Sequence, residues 1–384
     1  MIKHFSAFFT LLLFFLHLNA SATEKPRYHT PGTLAAGPAA FADDAHQQQW
    51  VDSVFNQMDE AQQIGQLIMA MAYSNLGPSH EASVAKLVTD NHIGGLIFMQ
   101  GGPARQARLT NKYQRLAQVP LFIAMDAENG LSMRLDSTIS FPKNITLGAI
   151  QNNEYIYELG REIGRQSRRL GVHINFAPVI DVNVNPANPV IGIRSFGENK
   201  YNVAGKGSAF MRGLQNTGVI ANAKHFPGHG DTDKDSHHTL PVINHSRERL
   251  NEVELYPFRQ LFADSLMSVM VAHLQIPALD DTPDRASSLS PKVVTELLRD
   301  SLGFNGLVFT DGLNMQGVAR YYSQAQICVQ ALKAGNDILL GPGDIPSCIS
   351  AIKAALGSGD LNRKSFEQKV KRVLSYKYLA GLHH

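Results

Sequence analysis

Cysteine is nearly absent from this chain of 384 residues: Cys328 and Cys348 are the whole complement, enough for one intrachain disulfide at most. Charge is scarce too, at 18% Asp, Glu, Lys and Arg with a formal net charge of +2. No run of Lys or Arg stands out, which argues against a nucleic-acid groove or a polybasic membrane surface and leaves a small, uncharged or mildly anionic partner as the default. Long apolar runs are missing except at the start, MIKHFSAFFTLLLFFLHLNASATEKP. There an early cation, Lys3, precedes an apolar core from Phe8 to Leu18 and a small-x-small site at Ala20-Ser21-Ala22, the pattern of a signal peptide removed after Ala22. His17 and Asn19 interrupt the run, which falls short of the roughly 20 residues a membrane-spanning helix needs. No cysteine follows it, so a lipid anchor is not suggested, and no later stretch is apolar enough to span. The expected location is therefore outside the cytoplasm, periplasmic or secreted. An exported setting permits a Cys328–Cys348 bridge, although two buried thiols fit the spacing equally well.

What is present is a regular alternation. After residues 23–46, a stretch of Pro, Gly, Ala, Thr and His that reads as a tether or arm, apolar β-branched runs alternate with helix-like segments through 47–384. The runs are Ile64–Ala72, Gly95–Met99, Leu121–Asp126, Val172–Ala177, Val219–His225, Ser268–Leu274, Leu307–Thr310 and Asp337–Leu340, eight in all. Between two of them EYIYELGREIGRQSRRLG sets Tyr155, Leu159, Ile163 and Leu170 on an apolar stripe, with Gly171 as a natural stop. Continuous apolar strands separated by crossovers long enough for a helix imply parallel pairing with both faces covered. The expected fold is an α/β (β/α)8 TIM-type barrel forming a single catalytic domain. An open doubly wound sheet would carry a glycine-rich phosphate turn after its first strand, and IMAMAYSNLGPSH does not match one.

In a barrel, chemistry gathers where strands end at their C-termini. Polar residues cluster there: Asp126 and Glu128 in MDAENG, Asp181 in FAPVIDV, His273 after the sixth run, and Asp311 in FTDG. Singly, each aspartate reads as a cap and His273 as a hydrogen-bonded structural histidine. The fifth run enters KHFPGHGDTDKDSHHTLP, which holds five histidines and four aspartates among glycines and prolines. It meets no familiar metal spacing such as H-E-x-x-H, so neither metal nor organic cofactor is expected. Its Asp235-Ser236-His237 step is informative, because a carboxylate beside an imidazole fixes the tautomer and stabilises the protonated ring. His229 and His238 read as loop packing.

That stretch, together with RSFGEN, MDAENGLSMRLD and FTDGLNMQGV, resembles the catalytic domain of glycoside hydrolase family 3, in its β-N-acetylglucosaminidase branch, over roughly residues 50–380. The resemblance implies a barrel of the same type. It also implies Asp311 as nucleophile, His237 as general acid and base with Asp235 as its orienting partner, and Asp126, Arg134, Arg194, Lys224 and His225 as sugar-binding residues. DAENG and DGLNM depart from the family's DQEGG and DDLNM in neighbours of the two aspartates. The activity implied is that of an exo-acting retaining β-N-acetylhexosaminidase releasing terminal β-linked N-acetylglucosamine from glycans or peptidoglycan fragments, through a covalent glycosyl-Asp intermediate. A phosphorylase of the same branch is an alternative, since a neutral imidazole does not repel phosphate. A β-glucosidase is another, but similar enzymes usually draw a carboxylate acid from a following domain, and this chain closes on an amphipathic helix. A non-catalytic sugar-binding barrel is the remaining alternative. The expected partner is a carbohydrate, with no nucleic acid and no stable membrane span after signal removal.

Overall fold

The computed structural model describes residues 45–236 and 239–383. The signal peptide expected over 1–22, nearly all of the arm expected over 23–46, and His237 lie outside the described residues. Eight strands follow one another: β1 (Ile68–Tyr73), β2 (Gly95–Gln100), β3 (Phe122–Met125), β4 (Ile174–Asn175), β5 (Ile220–Phe226), β6 (Ser268–Val271), β7 (Leu307–Thr310) and β8 (Leu339–Leu340). Each pairs in parallel with its sequence neighbour from β1 to β7, and β8 pairs with β1 through Ile68 opposite Leu339. The last gap is bridged by backbone bonds from Thr310 N–H to Ile338 O and from Asp337 N–H to Val308 O, at 3.1 and 2.8 Å. The sheet is thus a closed parallel barrel with helices between its strands, as the alternation predicts.

Every residue of β3, β5, β6 and β7 is buried, the signature of strands covered by helices outside and by packed side chains inside. Phe309 of β7 and Phe176, just beyond β4, meet edge to face at 5.2 Å although their strands are not neighbours, so their rings meet within the barrel. The side chain of Asn222 in β5 donates to Ser268 Oγ in β6 at 2.9 Å in the same interior. Alternation along a strand then decides what stands above this floor. Asp311 follows Phe309 by two residues, and Lys224 follows Asn222 by two, so both side chains rise from the inward-facing rows.

Two local expectations are corrected. Residues 64–67 do not begin the first strand: the Asp59 side chain accepts from Gln62 N–H and Gln62 Oε1 accepts from Asp59 N–H, both at 2.8 Å. This capping box starts a helix over Glu60–Gly65 that takes in Ile64. The helix Glu154–Arg169 does end before Gly171, which has φ +70°, yet its buried face is Ile156, Gly160, Ile163, Gly164 and Ser167, while Tyr155 is 66% exposed. A Cβ on Gly160 would lie 2.4 Å from the Phe210 carbonyl oxygen of the helix Lys200–Gln215. Close approach of two helix backbones selects this small-residue face, which a count of large apolar residues misses.

Cys328 and Cys348 form a disulfide between the helices Gln324–Ala334 and Ile345–Ser358, with their Cα atoms 5.8 Å apart. Among the described residues no helix is long and apolar enough to cross a membrane. At the end of the barrel where strands begin, the buried Asp337 carboxylate pairs with Arg299 and Arg372, each at 2.6 Å, and accepts from Val308 N–H at 2.9 Å. Burial pushes its carboxyl up, but the Arg372 and Arg299 guanidiniums outweigh this and hold it below the usual range. Asp337→Asn is expected to cost about 3–5 kcal/mol at pH 7, the penalty for removing one partner of a buried ion pair. Since the folded carboxyl titrates below the unfolded one, this stabilisation is present above about pH 4 and fades as pH falls through the folded value. Urea unfolding of both proteins at pH 7 and pH 3 measures it, with the gap narrowing in acid.

Candidate active site

The C-terminal ends of the strands surround a cavity of about 270 Å³. Six of the eight residues singled out from the sequence line it: Asp126, Arg134, Arg194, Lys224, His225 and Asp311. Asp235 stands apart from the lining, on the loop after β5 and one residue before Ser236, which does line the cavity; its carbonyl accepts from Thr239 N–H at 3.0 Å.

The best-connected group is Lys224. Its ammonium, 3% exposed, lies 2.7 Å from Asp126 Oδ1 and 2.8 Å from Glu128 Oε1. Each carboxylate then holds an arginine: Arg134 meets Asp126 Oδ2 at 2.6 Å, and Arg194 grips Glu128 through Nη2 at 2.6 Å and Nε at 2.9 Å. Burial alone would discharge these groups. It is offset by the neighbours: Lys224 and Arg134 draw Asp126 below the carboxylate range, Lys224 and Arg194 do the same to Glu128, and the carboxylates raise Lys224 and Arg194 in return. Arg134 Nε is buried with no hydrogen-bond partner, a donor suited to a ligand oxygen.

A second anchor is Asp181, after β4 and fully buried. It accepts from His225 Nδ1 at 2.7 Å and from the backbone N–H groups of His225 and His229 at 3.2 and 2.7 Å. With Nδ1 donating to Asp181, the other ring nitrogen of His225 accepts from Arg194 at 3.3 Å. His229 is held inside its own loop by the Thr232 and Ser236 hydroxyls, at 2.8 and 3.1 Å, and burial pushes it down to about 4, so its ring is neutral at pH 7. His273 spans Ser288 Oγ and the Gly312 carbonyl at 2.7 and 3.0 Å, bracing the residue after Asp311.

Asp311 faces this array from β7. Burial pushes its carboxyl up, but His273, His225, the Gly312 N–H at 2.8 Å and Lys224 outweigh that and keep it below the usual range. The cavity therefore presents an ionised carboxylate opposite three cations that are themselves tied in place, an arrangement suited to holding a polyhydroxylated ligand while a carboxylate attacks it. Sequence reading gave no role to Glu128 or to Ser236, and treated Asp181 as a cap. Glu128 was signalled only by its place two residues past Asp126 beyond a strand end.

A metal is not the best use of the acidic and histidine groups nearby. Asp231, His245 and Glu254 bring donor atoms within 4.8 Å of one another. However, Arg249 already engages Glu254 at 2.6 and 2.7 Å, and His245 Nε2 meets Asp231 at 2.5 Å, so the cluster is satisfied as an ion-pair network.

The sequence profile of the Glycosyl hydrolase family 3 N terminal domain matches residues 60–376. Over 77% of its length the chain is 34% identical to Beta-hexosaminidase A of Pseudoalteromonas piscicida, and over 79% it is 33% identical to Beta-hexosaminidase LpqI of Mycobacterium tuberculosis. Among solved structures, a glycoside hydrolase family 3 beta-N-acetylglucosaminidase from Paenibacillus sp. str. FPU-7 superposes with a TM-score of 0.80 at 39% identity, over 85% of this chain and 64% of that one. The chain spans 54% of the P. piscicida relative and 80% of the M. tuberculosis one.

The charge pairing around Lys224 has a direct test. Glu128→Gln leaves Lys224 and Arg194 short of one negative charge, so the variant should unfold at lower urea concentration than the wild type. Added phosphate should then recover more stability in the variant than in the wild type, because an anion can supply the missing charge. Equal gains in both proteins would show general salt exclusion instead.

Proposed function

The chain belongs to glycoside hydrolase family 3, and from that premise we propose that it is an exo-acting retaining β-N-acetylhexosaminidase releasing terminal β-linked N-acetylglucosamine from glycans or peptidoglycan fragments. The observation that carries the reading is the position of Asp311: an ionised carboxylate at the end of β7, lining a closed-in cavity with Lys224, Arg134 and Arg194. The names borne by the relatives, hexosaminidase and N-acetylglucosaminidase, support the choice of sugar.

Asp311 attacks the anomeric carbon and the glycosidic C–O bond breaks, giving a glycosyl ester. His237 donates a proton to the departing oxygen and then takes one from the water that cleaves the ester, so configuration is retained. Asp235 orients that imidazole. Lys224, His225, Arg134 and Arg194 hold the sugar's oxygens, and Asp126 accepts from its hydroxyls while keeping two of the cations in place. A low carboxyl pKa suits Asp311 to the nucleophile's part, because only the ionised form attacks.

Asp311→Ala should abolish turnover of an aryl N-acetyl-β-glucosaminide, whereas His237→Ala should slow poor leaving groups most and leave a dinitrophenyl glycoside least affected. Undiminished Asp311→Ala activity would sink the assignment. A panel of β-GlcNAc, β-GalNAc and β-glucose aryl glycosides, run with and without phosphate, separates hydrolysis from phosphorolysis and fixes the sugar.

We further propose that the protein acts outside the cytoplasm. The N-terminal signal-like segment and the Cys328–Cys348 bridge both support this, since disulfides persist in oxidising compartments. Thiol titration of the purified, denatured protein should find no free thiol before reduction and two after it.

A further inference from the structure

The carboxylates that hold Lys224 need a support of their own, because they stand beyond the last ladder contact of β3. Met125 is paired with Asn175 of β4, and past that point the sheet offers no strand to the backbone of residue 127. The side chain of Asn175 takes over. Ala127 N–H donates to Asn175 Oδ1 at 3.0 Å, and Asn175 Nδ2 donates to the Ala127 carbonyl at 3.2 Å. Both Asn175 and Ala127 are fully buried. The amide thus reproduces a strand partner, offering one donor and one acceptor to a single residue. Aspartate at this position would lack the donor, serine the reach, and leucine both polar groups.

Ala127 is flanked by Asp126 and Glu128, so two hydrogen bonds fix the peptide unit from which four ion pairs radiate. These are Lys224 and Arg134 on Asp126, and Lys224 and Arg194 on Glu128, all between 2.6 and 2.8 Å. We propose that Asn175 is a positioning residue for sugar recognition, acting through Ala127 to aim the two carboxylates and, through them, the three cations of the cavity. The inference rests on the glycosidase reading above, and it adds a residue that touches neither the sugar nor any charged group. A displacement of about 1 Å in groups that position a reactant is enough to cost on the order of a hundredfold in rate.

The test compares wild type with Asn175→Asp and Asn175→Ser on 4-nitrophenyl N-acetyl-β-glucosaminide, with circular dichroism to establish that each is folded. Both variants should raise KM by about tenfold or more. In a Glu128→Gln background the Asn175→Ser penalty should shrink to about threefold or less, because part of what Asn175 aims has been removed. A merely structural role predicts a smaller active fraction at unchanged KM and an additive double variant, and either result overturns the proposal. Failure of the wild type to turn over this substrate would fall on the glycosidase reading alone, so a second measurement dispenses with substrate. Acylation of Lys224, followed by peptide mass spectrometry, should be several-fold faster in Asn175→Ser than in wild type, while Lys377, buried on the helix Arg363–Leu379, reacts at an unchanged rate. Equal acceleration of both lysines, or of neither, would refute the positioning role.

Discussion

A buried ammonium between two carboxylates is the contact on which the candidate site depends. An isolated Lys224 in this position would lose its proton, and isolated Asp126 and Glu128 would gain one. Held within 2.8 Å of one another, all three stay charged, and the surplus negative charge is taken up by Arg134 and Arg194. Desolvation, which penalises each group separately, is what makes the set interdependent: no member retains its ionic state without the others. The same interdependence reaches Asp311, whose ionisation is helped by Lys224 and His225 across the cavity.

The barrel supplies what this array cannot make for itself, a rigid frame that brings distant segments to one rim. Asp126, Lys224 and Asp311 come from three strands, and alternation along each strand points the side chain inward above a filled interior. The opposite end uses the same chemistry for another purpose. Asp337 with Arg299 and Arg372 is as thoroughly paired as the upper cluster, but it ties a strand start to the surrounding helices. Charge pairing by itself does not mark a functional site; position on the barrel does.

How much was legible follows from how each feature is encoded. Strand positions could be read because each is a contiguous apolar run, and the aspartates at strand ends could be read because the fold assigns that rim to chemistry. The helix over residues 60–65 could not be separated from β1, since Ile64 satisfies either pattern and the capping box that decides lies upstream. The face of the helix Glu154–Arg169 was misjudged because backbone proximity at Gly160 outweighed the burial of Tyr155. Glu128 and Asn175 were illegible for a deeper reason: their roles exist only in contacts with residues about 50 to 100 positions away, and a single sequence records no such distances.

The disulfide has a topological consequence. Residues 328 and 348 bracket β8, the strand that must meet both β1 and the end of β7 for the circle to close. Its pairing with β1 joins Ile68 to Leu339, the longest span of chain brought together by any strand pair here, and loop-closure entropy makes such long-range joins costly. Tying the two flanking helices into one ring restricts the unfolded chain by about 3 kcal/mol for a loop of this length. The final segment of the barrel therefore keeps part of its helix–strand–helix shape even when the rest of the chain is open, and reaches the seam as a pre-gathered piece.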